Sequence, residues 1–154
     1  MKIWVDADAC PGGVKDIVIR AAHRRKVETV FVANKIIALP DSPLFSCLQV
    51  DMSPDAADRL IGESAQTGDL VITQDIPLAH ILVHRNIVVI NPRGETFTTE
   101  NISERLSMRD LSQHRRDAGE MTGGPKAFGE REKRQFSSTF DRELTKLLRV
   151  SMSG

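Results

Sequence analysis

Apolar residues along the chain recur first at the spacing of a strand, then at that of a helix, and the alternation repeats through residue 90. Ile3 and Val5 sit two apart near the amino end and predict a first strand. After a breaker-rich turn, Ala9-Cys-Pro-Gly-Gly13, the positions Val14, Ile17, Val18, Ala21 and Ala22 follow the i, i+3, i+4, i+7, i+8 rule of one helix face. His23, Arg24, Arg25 and Lys26 fill the last turn, where the helix dipole favours cations. Residues 27–33 read as a second strand, and a loop with Pro40 and Pro43 leads to a short third one near 47–50. Ser53 and Pro54 predict a helix start, as N-cap and first helical residue, and Gly68 predicts its end. A continuous apolar strand at 70–73, a short helix at 77–85 and a buried strand at 87–90 follow, the last ended by Asn91-Pro-Arg-Gly94.

This alternation predicts an α/β fold, a three-layer open parallel sheet flanked by helices on both faces. The remainder differs in kind. Thr99 is the expected cap of a helix running to about Arg116, and residues 121–125 read as a loop. A last helix aligns Phe136, Phe140, Leu144, Leu147 and Leu148 on one face. The expected organisation is therefore one domain, with residues 1–98 as the α/β core and 99–154 as a basic helical extension packed against it.

Composition narrows the function classes. The 154 residues are 40% hydrophobic and 27% charged, which suits a globular domain with a sizeable core. Lys+Arg 21 balances Asp+Glu 21, so no global charge points to nucleic acid, yet residues 1–100 carry net −3 and 101–154 net +3. Two cysteines, Cys10 and Cys47, form no C-x-x-C pair and give no structural zinc signature. No apolar run approaches the ~20 residues that span a bilayer. The expectation is a cytoplasmic protein with free thiols and no membrane partner; homo-oligomerisation is left open. No phosphate-binding Gly-Lys loop or dinucleotide fingerprint is present, which argues against a nucleotide cofactor.

The candidate chemistry is carboxylate chemistry. Asp6 and Asp8 close the first strand, and residues two apart on a strand point to the same side. In open α/β sheets the carboxyl ends of the strands are where ligands bind. Asp75 follows the strand at 70–73 and emerges at the same edge; it also suits an N-cap, and the two roles are compatible. Asp55 and Asp58 stand three apart on a helix, where Asp55 reads as dipole complementarity and Asp58, at the rim of the stripe Ala57, Leu60, Ile61 and Ser64, as the better ligand. Asp6, Asp8, Asp58 and Asp75 together would suit Mg²⁺ or Mn²⁺, hard cations that prefer oxygen ligands, and would serve as both catalytic and metal-binding residues. His80 and His84 are four apart but lack a partnering glutamate motif and read as surface residues. Cys10 precedes a helix, yet the nearby acids are the wrong sign for an activated thiolate.

The motifs Asp6-Ala-Asp-Ala-Cys-Pro11, Asp55-Ala-Ala-Asp-Arg-Leu-Ile61, Gly68-Asp-Leu-Val-Ile-Thr-Gln-Asp-Ile-Pro-Leu-Ala79, Asn91-Pro-Arg-Gly94 and Gly123-Gly-Pro125 occur in that order. In this combination the chain resembles the uncharacterised bacterial YaiI/YqxD family over nearly its whole length. That family in turn resembles PIN-like domains, metal-dependent nucleases of the α/β class. The resemblance implies Asp6, Asp58 and Asp75 as metal ligands, with Asp8 as a further candidate, and nuclease chemistry; the expected reaction is phosphodiester hydrolysis, on RNA in preference to DNA. The Cys10-Pro11 turn is no general PIN feature, and the fourth acid of many PIN sites has no counterpart here. Arg93, Arg115, Arg116 and Lys126 are the expected substrate-facing cations, holding flanking phosphates. Asp6-x-Asp8 also resembles the opening motif of haloacid-dehalogenase-type phosphatases, with Asp6 as nucleophile and Asp8 as acid/base. A non-catalytic nucleic-acid-binding module on a PIN-like fold is a further alternative.

Overall fold

The computed structural model describes residues 1–53, 55–117 and 128–153, and for 109–117 and 151–153 the backbone alone. Pro54, the 121–125 loop and Lys126 therefore lie outside the described residues, as do the side chains of Arg115 and Arg116. In chain order the described elements are β1 (Lys2–Asp6), a 3-10 turn (Ala7–Ala9), α1 (Gly12–Arg25), β2 (Glu28–Ala33), β3 (Phe45–Gln49), α2 (Ala56–Ser64), β4 (Leu70–Ile72), α3 (Ile76–Val83), β5 (Val88–Ile90), β6 (Thr96–Phe97), α4 (Thr99–Asp117) and α5 (Glu130–Ser153). The strands form one sheet in the order β3-β2-β1-β4-β5-β6. All neighbours pair in parallel except β5 and β6. Among the described residues no helix is long and apolar enough to cross a membrane.

The two-residue period of β1 divides the core. Ile3 and Val5 point to one face, where Val14 and Val18 of α1 and Phe136, Phe140 and Leu144 of α5 cover them. Trp4 points to the other, among Ile61 of α2, Leu78 and Leu82 of α3 and Ile102 of α4. Strands covered on both faces become continuous apolar runs, which is why β4 reads Leu-Val-Ile with every residue buried. The layers are thus α1 and α5, the sheet, and α2 with α3 and α4.

Element ends depart from expectation in three places. Helix α2 begins at Ala56 with Asp55 as N-cap, not at Ser53. The Ser53 amide donates to the Asp51 carboxylate (2.9 Å) and its carbonyl accepts from the Ala56 amide (3.1 Å), so Ser53 is spent on the preceding turn. The same helix ends at Ser64, before Gly68, because Arg85 donates to the carbonyls of Gly62 (2.6 Å) and Ala65 (2.7 Å) and satisfies the terminus with a cation. Gly68, at φ +100°, instead makes the turn into β4. The cap of α4 is Thr98 and not Thr99: Thr98 and Asn101 exchange side-chain-to-backbone bonds in both directions, at 2.8 and 3.1 Å. The short antiparallel β6 lies in a stretch where the sequence predicts no element.

Asp69 is structural. Its buried carboxylate accepts from the Lys2 amide (2.9 Å), the Trp4 indole Nε1 (3.0 Å) and the Gln66 amide (2.9 Å), tying the start of β1 to the start of β4. Asp69→Ala strands the buried Trp4 indole donor and two part-buried amides, and a donor left unpaired away from water costs ~1–3 kcal/mol. Because the edge at Lys2 and Gln66 can take up solvent, the expected net loss is about 2–3 kcal/mol, read as a lower urea midpoint at unchanged m-value.

Candidate active site

The chain leaves β1 toward β2 on one side and leaves β4 toward β5 on the other, although β1 and β4 are neighbours. The loops after these strands therefore diverge and open a crevice at the carboxyl edge, the usual ligand position in a doubly wound sheet. A cavity of about 460 Å³ occupies it, and Asp6, Asp8, Asp58 and Asp75 all line it. Three segments distant in sequence thus deliver their acids to one place.

Each carboxylate is set by different local structure. Asp6 is the last residue of β1, 6% exposed, and its Oδ2 accepts from the Thr73 hydroxyl at 3.0 Å. The Thr73 Oγ1 in turn accepts from the Asp75 amide at 3.0 Å, so one hydroxyl fixes both acids relative to each other. Asp75 caps α3 through its Oδ1, which accepts from the Leu78 amide at 2.7 Å, while still lining the cavity. Asp8 arrives by a route other than strand alternation. The backbone tightens into the 3-10 turn directly after Asp6, so Asp8 is exposed and its Oδ2 accepts from the Asn34 amide at 2.7 Å. Asp58, in the first turn of α2, supplies the opposite wall.

The field in this crevice is strongly negative. Burial pushes the Asp6 carboxyl up, against the Thr73 hydrogen bond that favours its charge, and the charges of Asp75 and Asp8 add to the rise. Asp58 is pushed up to about 7, first by burial, then by a hydrogen bond with Asp75 and the charges of Asp75, Asp6 and Asp55. Among the described residues lining the cavity there is no lysine, arginine or histidine to offset them. Cys10 behaves as a packed residue: burial, and then Asp6, push its thiol up to about 12.

A group whose carboxyl is raised in the fold gives stability below its unfolded value, near 4, and that stability is lost as pH rises through the folded value. Asp58 therefore makes the metal-free protein less stable between about pH 4 and about 7. Thermal melts across that window should show this fall, and Asp58→Asn should flatten it; Asp6, raised in the same direction, leaves part of the slope in place.

The donor chemistry suits a hard divalent cation: carboxylate oxygens in excess, with Asn34, Ser53 and Gln74 as the neutral polar lining, around a crevice open to solvent. Among the described residues no three acid, histidine or cysteine side chains already stand as a closed ligand group. The acids share a cavity and a field without forming a coordination cage.

Asn34, Thr73 and Gln74 were given no role by sequence reading. Asn34 follows β2 directly, so its place at a strand's carboxyl end was the available signal. Gln74 reaches from the β4 loop to the Ala9 carbonyl and ties the two diverging loops together. Asp55 is exposed and pairs with Arg59 at 3.1 Å. Arg93 follows β5 and does not line the acidic cavity; its charge acts on Glu132 of α5. The His80 and His84 rings lie 4.5 Å apart, with the His84 Nδ1 2.8 Å from the His80 carbonyl.

A family model described as an uncharacterised YaiI/YqxD family matches residues 4–146. The chain belongs to the YaiI/YqxD family. It is similar to a "UPF0178 protein" of Myxococcus xanthus, 54% identical over 150 residues, covering 97% of this chain and 98% of that one. A "UPF0178 protein" of Syntrophobacter fumaroxidans is 51% identical over 150 residues with the same coverage. One from Dechloromonas aromatica is 47% identical over 147 residues, covering 96% of this chain and 98% of that one. No solved structure matches the chain. The YaiI/YqxD description names no activity, and the PIN-like resemblance rests on the residues of this chain alone.

Proposed function

We propose that this YaiI/YqxD protein is a divalent-metal-dependent phosphodiesterase acting on nucleic acid, RNA in preference to DNA. One observation carries the reading: Asp6, Asp8, Asp58 and Asp75, from three segments distant in sequence, line one cavity at the switch point of the sheet with no offsetting cation among the described lining residues. The resemblance to PIN-like nucleases supports phosphodiester cleavage. These four carboxylates would hold Mg²⁺ or Mn²⁺, and such an ion supplies neutralisation of the phosphate charge and activation of the attacking water.

The chain's own contribution is placement. Thr73 holds Asp6 and Asp75 at fixed separation, the α3 cap fixes the rotamer of Asp75, and the Asn34 amide holds Asp8. Gln74 keeps the loop after β1 from drifting away from the loop after β4. Arg93, Arg115, Arg116 and Lys126 are the proposed contacts to phosphates flanking the scissile bond. The phosphatase alternative has less support, since Asp6 is nearly enclosed and bonded to Thr73, and no lysine lines the cavity among the described residues.

The test is cleavage of labelled single-stranded RNA and DNA by the full chain with Mg²⁺ or Mn²⁺, against the same reaction in EDTA. Metal-dependent cutting, faster on RNA, is the expected outcome. Absence of cutting on every polymer, with turnover of a small phosphomonoester, would transfer the reading to the phosphatase class.

A further inference from the structure

On the face of the sheet that α1 and α5 cover, these two helices lie side by side. Lys133 of α5 passes close to Gly13 at one end, and Arg25 of α1 donates to Thr145 (3.1 Å) at the other. Between these points runs a second cavity, of about 480 Å³, away from the acidic crevice. Its apolar lining comes from Ile17, Ala21 and Phe140; Arg20 and Arg24 of α1 and Arg134 of α5 bring positive charge to it, joined by the exposed Ser137 and Ser138.

The charges in this groove are unbalanced. Asp141 is the one acid among the described lining residues, and it is already shared by Arg24 (3.7 Å) and Arg25 (3.4 Å). Asp16, four residues before Arg20, makes no ion pair among the described residues, and Glu130, four before Arg134, pairs with Lys133 at 3.5 Å. Arg20 and Arg134 have no ion-pair or hydrogen-bond partner among the described residues. Like charges one helical turn apart, such as Arg20 and Arg24, cost a few tenths of a kcal/mol, and a third guanidinium from a second helix adds to that cost. An anion lying in the groove removes it.

We propose that the α1/α5 groove binds the phosphate backbone of single-stranded nucleic acid, holding it through Arg20, Arg24 and Arg134. Guanidinium forks match phosphate oxygens two at a time, and serine hydroxyls are common backbone contacts. Phe140, the one aromatic ring lining the groove among the described residues, is 1% exposed and offers no platform for a base, so recognition is of phosphates and not of sequence. The inference deepens the nuclease reading, because α1 starts beside the acidic crevice and carries a bound strand away from it. Residue 20 lies about 12 Å along the helix axis from residue 12, which makes the groove a holding site for RNA beyond the bond to be cut.

The test is an anisotropy titration of labelled single-stranded RNA with the full chain in EDTA, at several NaCl concentrations. Measured without metal, binding is separated from cutting. Arg20→Ala/Arg134→Ala is expected to raise Kd by ~10-fold or more and to make the log–log salt dependence shallower by about 1.4, two phosphate contacts at ~0.7 each. Arg20→Lys/Arg134→Lys should retain most of the salt slope, and circular dichroism should show all variants folded, the substituted positions being exposed. Equal Kd and slope in wild type and the alanine variant would overturn the proposal, as would failure of wild type to bind RNA at low salt. Binding through the groove by a wild-type protein that cuts nothing would overturn the nuclease reading and leave the groove standing.

Discussion

Asp6→Asn together with Asp75→Asn is expected to leave a folded protein that no longer cleaves RNA in Mg²⁺ or Mn²⁺. Asparagine is chosen because it keeps the bonds that serve the fold. At Asp75 an asparagine remains a good N-cap, able to accept from the Leu78 amide, whereas alanine would forfeit ~1 kcal/mol of helix capping. At Asp6 the amide oxygen can still accept from Thr73. What is lost is charge, two of the five carboxylates that line the crevice, Asp51 being the fifth. Changes to groups that merely support a metal ligand typically cost ~10–100-fold, and loss of two ligands should exceed that range. The same variant separates fold from site in a second way. Wild type at pH 8 should melt at a higher temperature when Mn²⁺ is added, since an ion that binds the folded state alone stabilises it by mass action. The double variant should show little of that gain. Cleavage by the double variant at the wild-type rate, metal-dependent as before, would remove the carboxylate crevice from the mechanism.

Phe136→Ala is expected to be the most destabilising single change outside the crevice. Phe136 is fully enclosed and stacks on Phe140 with ring centroids 5.5 Å apart. It joins α5 to the same cluster as Ile3, Val5, Leu70, Ile72 and Ile90. Truncating such a ring removes apolar burial and leaves a void, together ~3–5 kcal/mol. Against a total stability of ~5–15 kcal/mol for a domain, that is a large fraction. The melting temperature should fall by on the order of 10 °C. Arg142→Ala, on the exposed side of the same helix, should shift it by no more than a degree or two, within ~0.5 kcal/mol. A small shift for Phe136→Ala would mean that α5 is not an integral cover of the sheet.

Strong periodicity made most elements legible. The recurrence of Val14, Val18, Ala21 and Ala22 fixed α1, and the aligned Phe136, Phe140 and Leu144 fixed the inward face of α5. Helix ends were harder, because they depend on partners remote in sequence: nothing near Ser64 announces that Arg85 terminates α2. β6 escaped notice since two residues, Thr96 and Phe97, are too few to show a period. Asp6 and Asp75 could be placed at one edge from strand position alone. Asp8 reaches it for a reason the alternation rule does not contain, a tight turn begun one residue earlier. The arginine groove was invisible for the same cause that hid the α2 terminus. Arg20 and Arg134 belong to different helices, far apart in the chain, and become neighbours through packing alone.

The packing of α5 into the cluster that holds the inner face of β1 also sets how the chain must reach its fold. β1 is one of the two central strands, hydrogen-bonded on one side to β2 and on the other to β4, whose residues lie more than sixty positions later. The apolar side of that strand is closed by Phe136, Phe140 and Leu144, more than 130 positions from Ile3. Contacts this remote are slow to form, since a long loop must be ordered before burial repays it. Until α5 docks, the strip of Ile3, Val5, Leu70, Ile72 and Ile90 is covered by α1 alone and stays partly open to solvent. Refolding at high protein concentration is therefore a race between docking of one helix and association of two unfinished sheets.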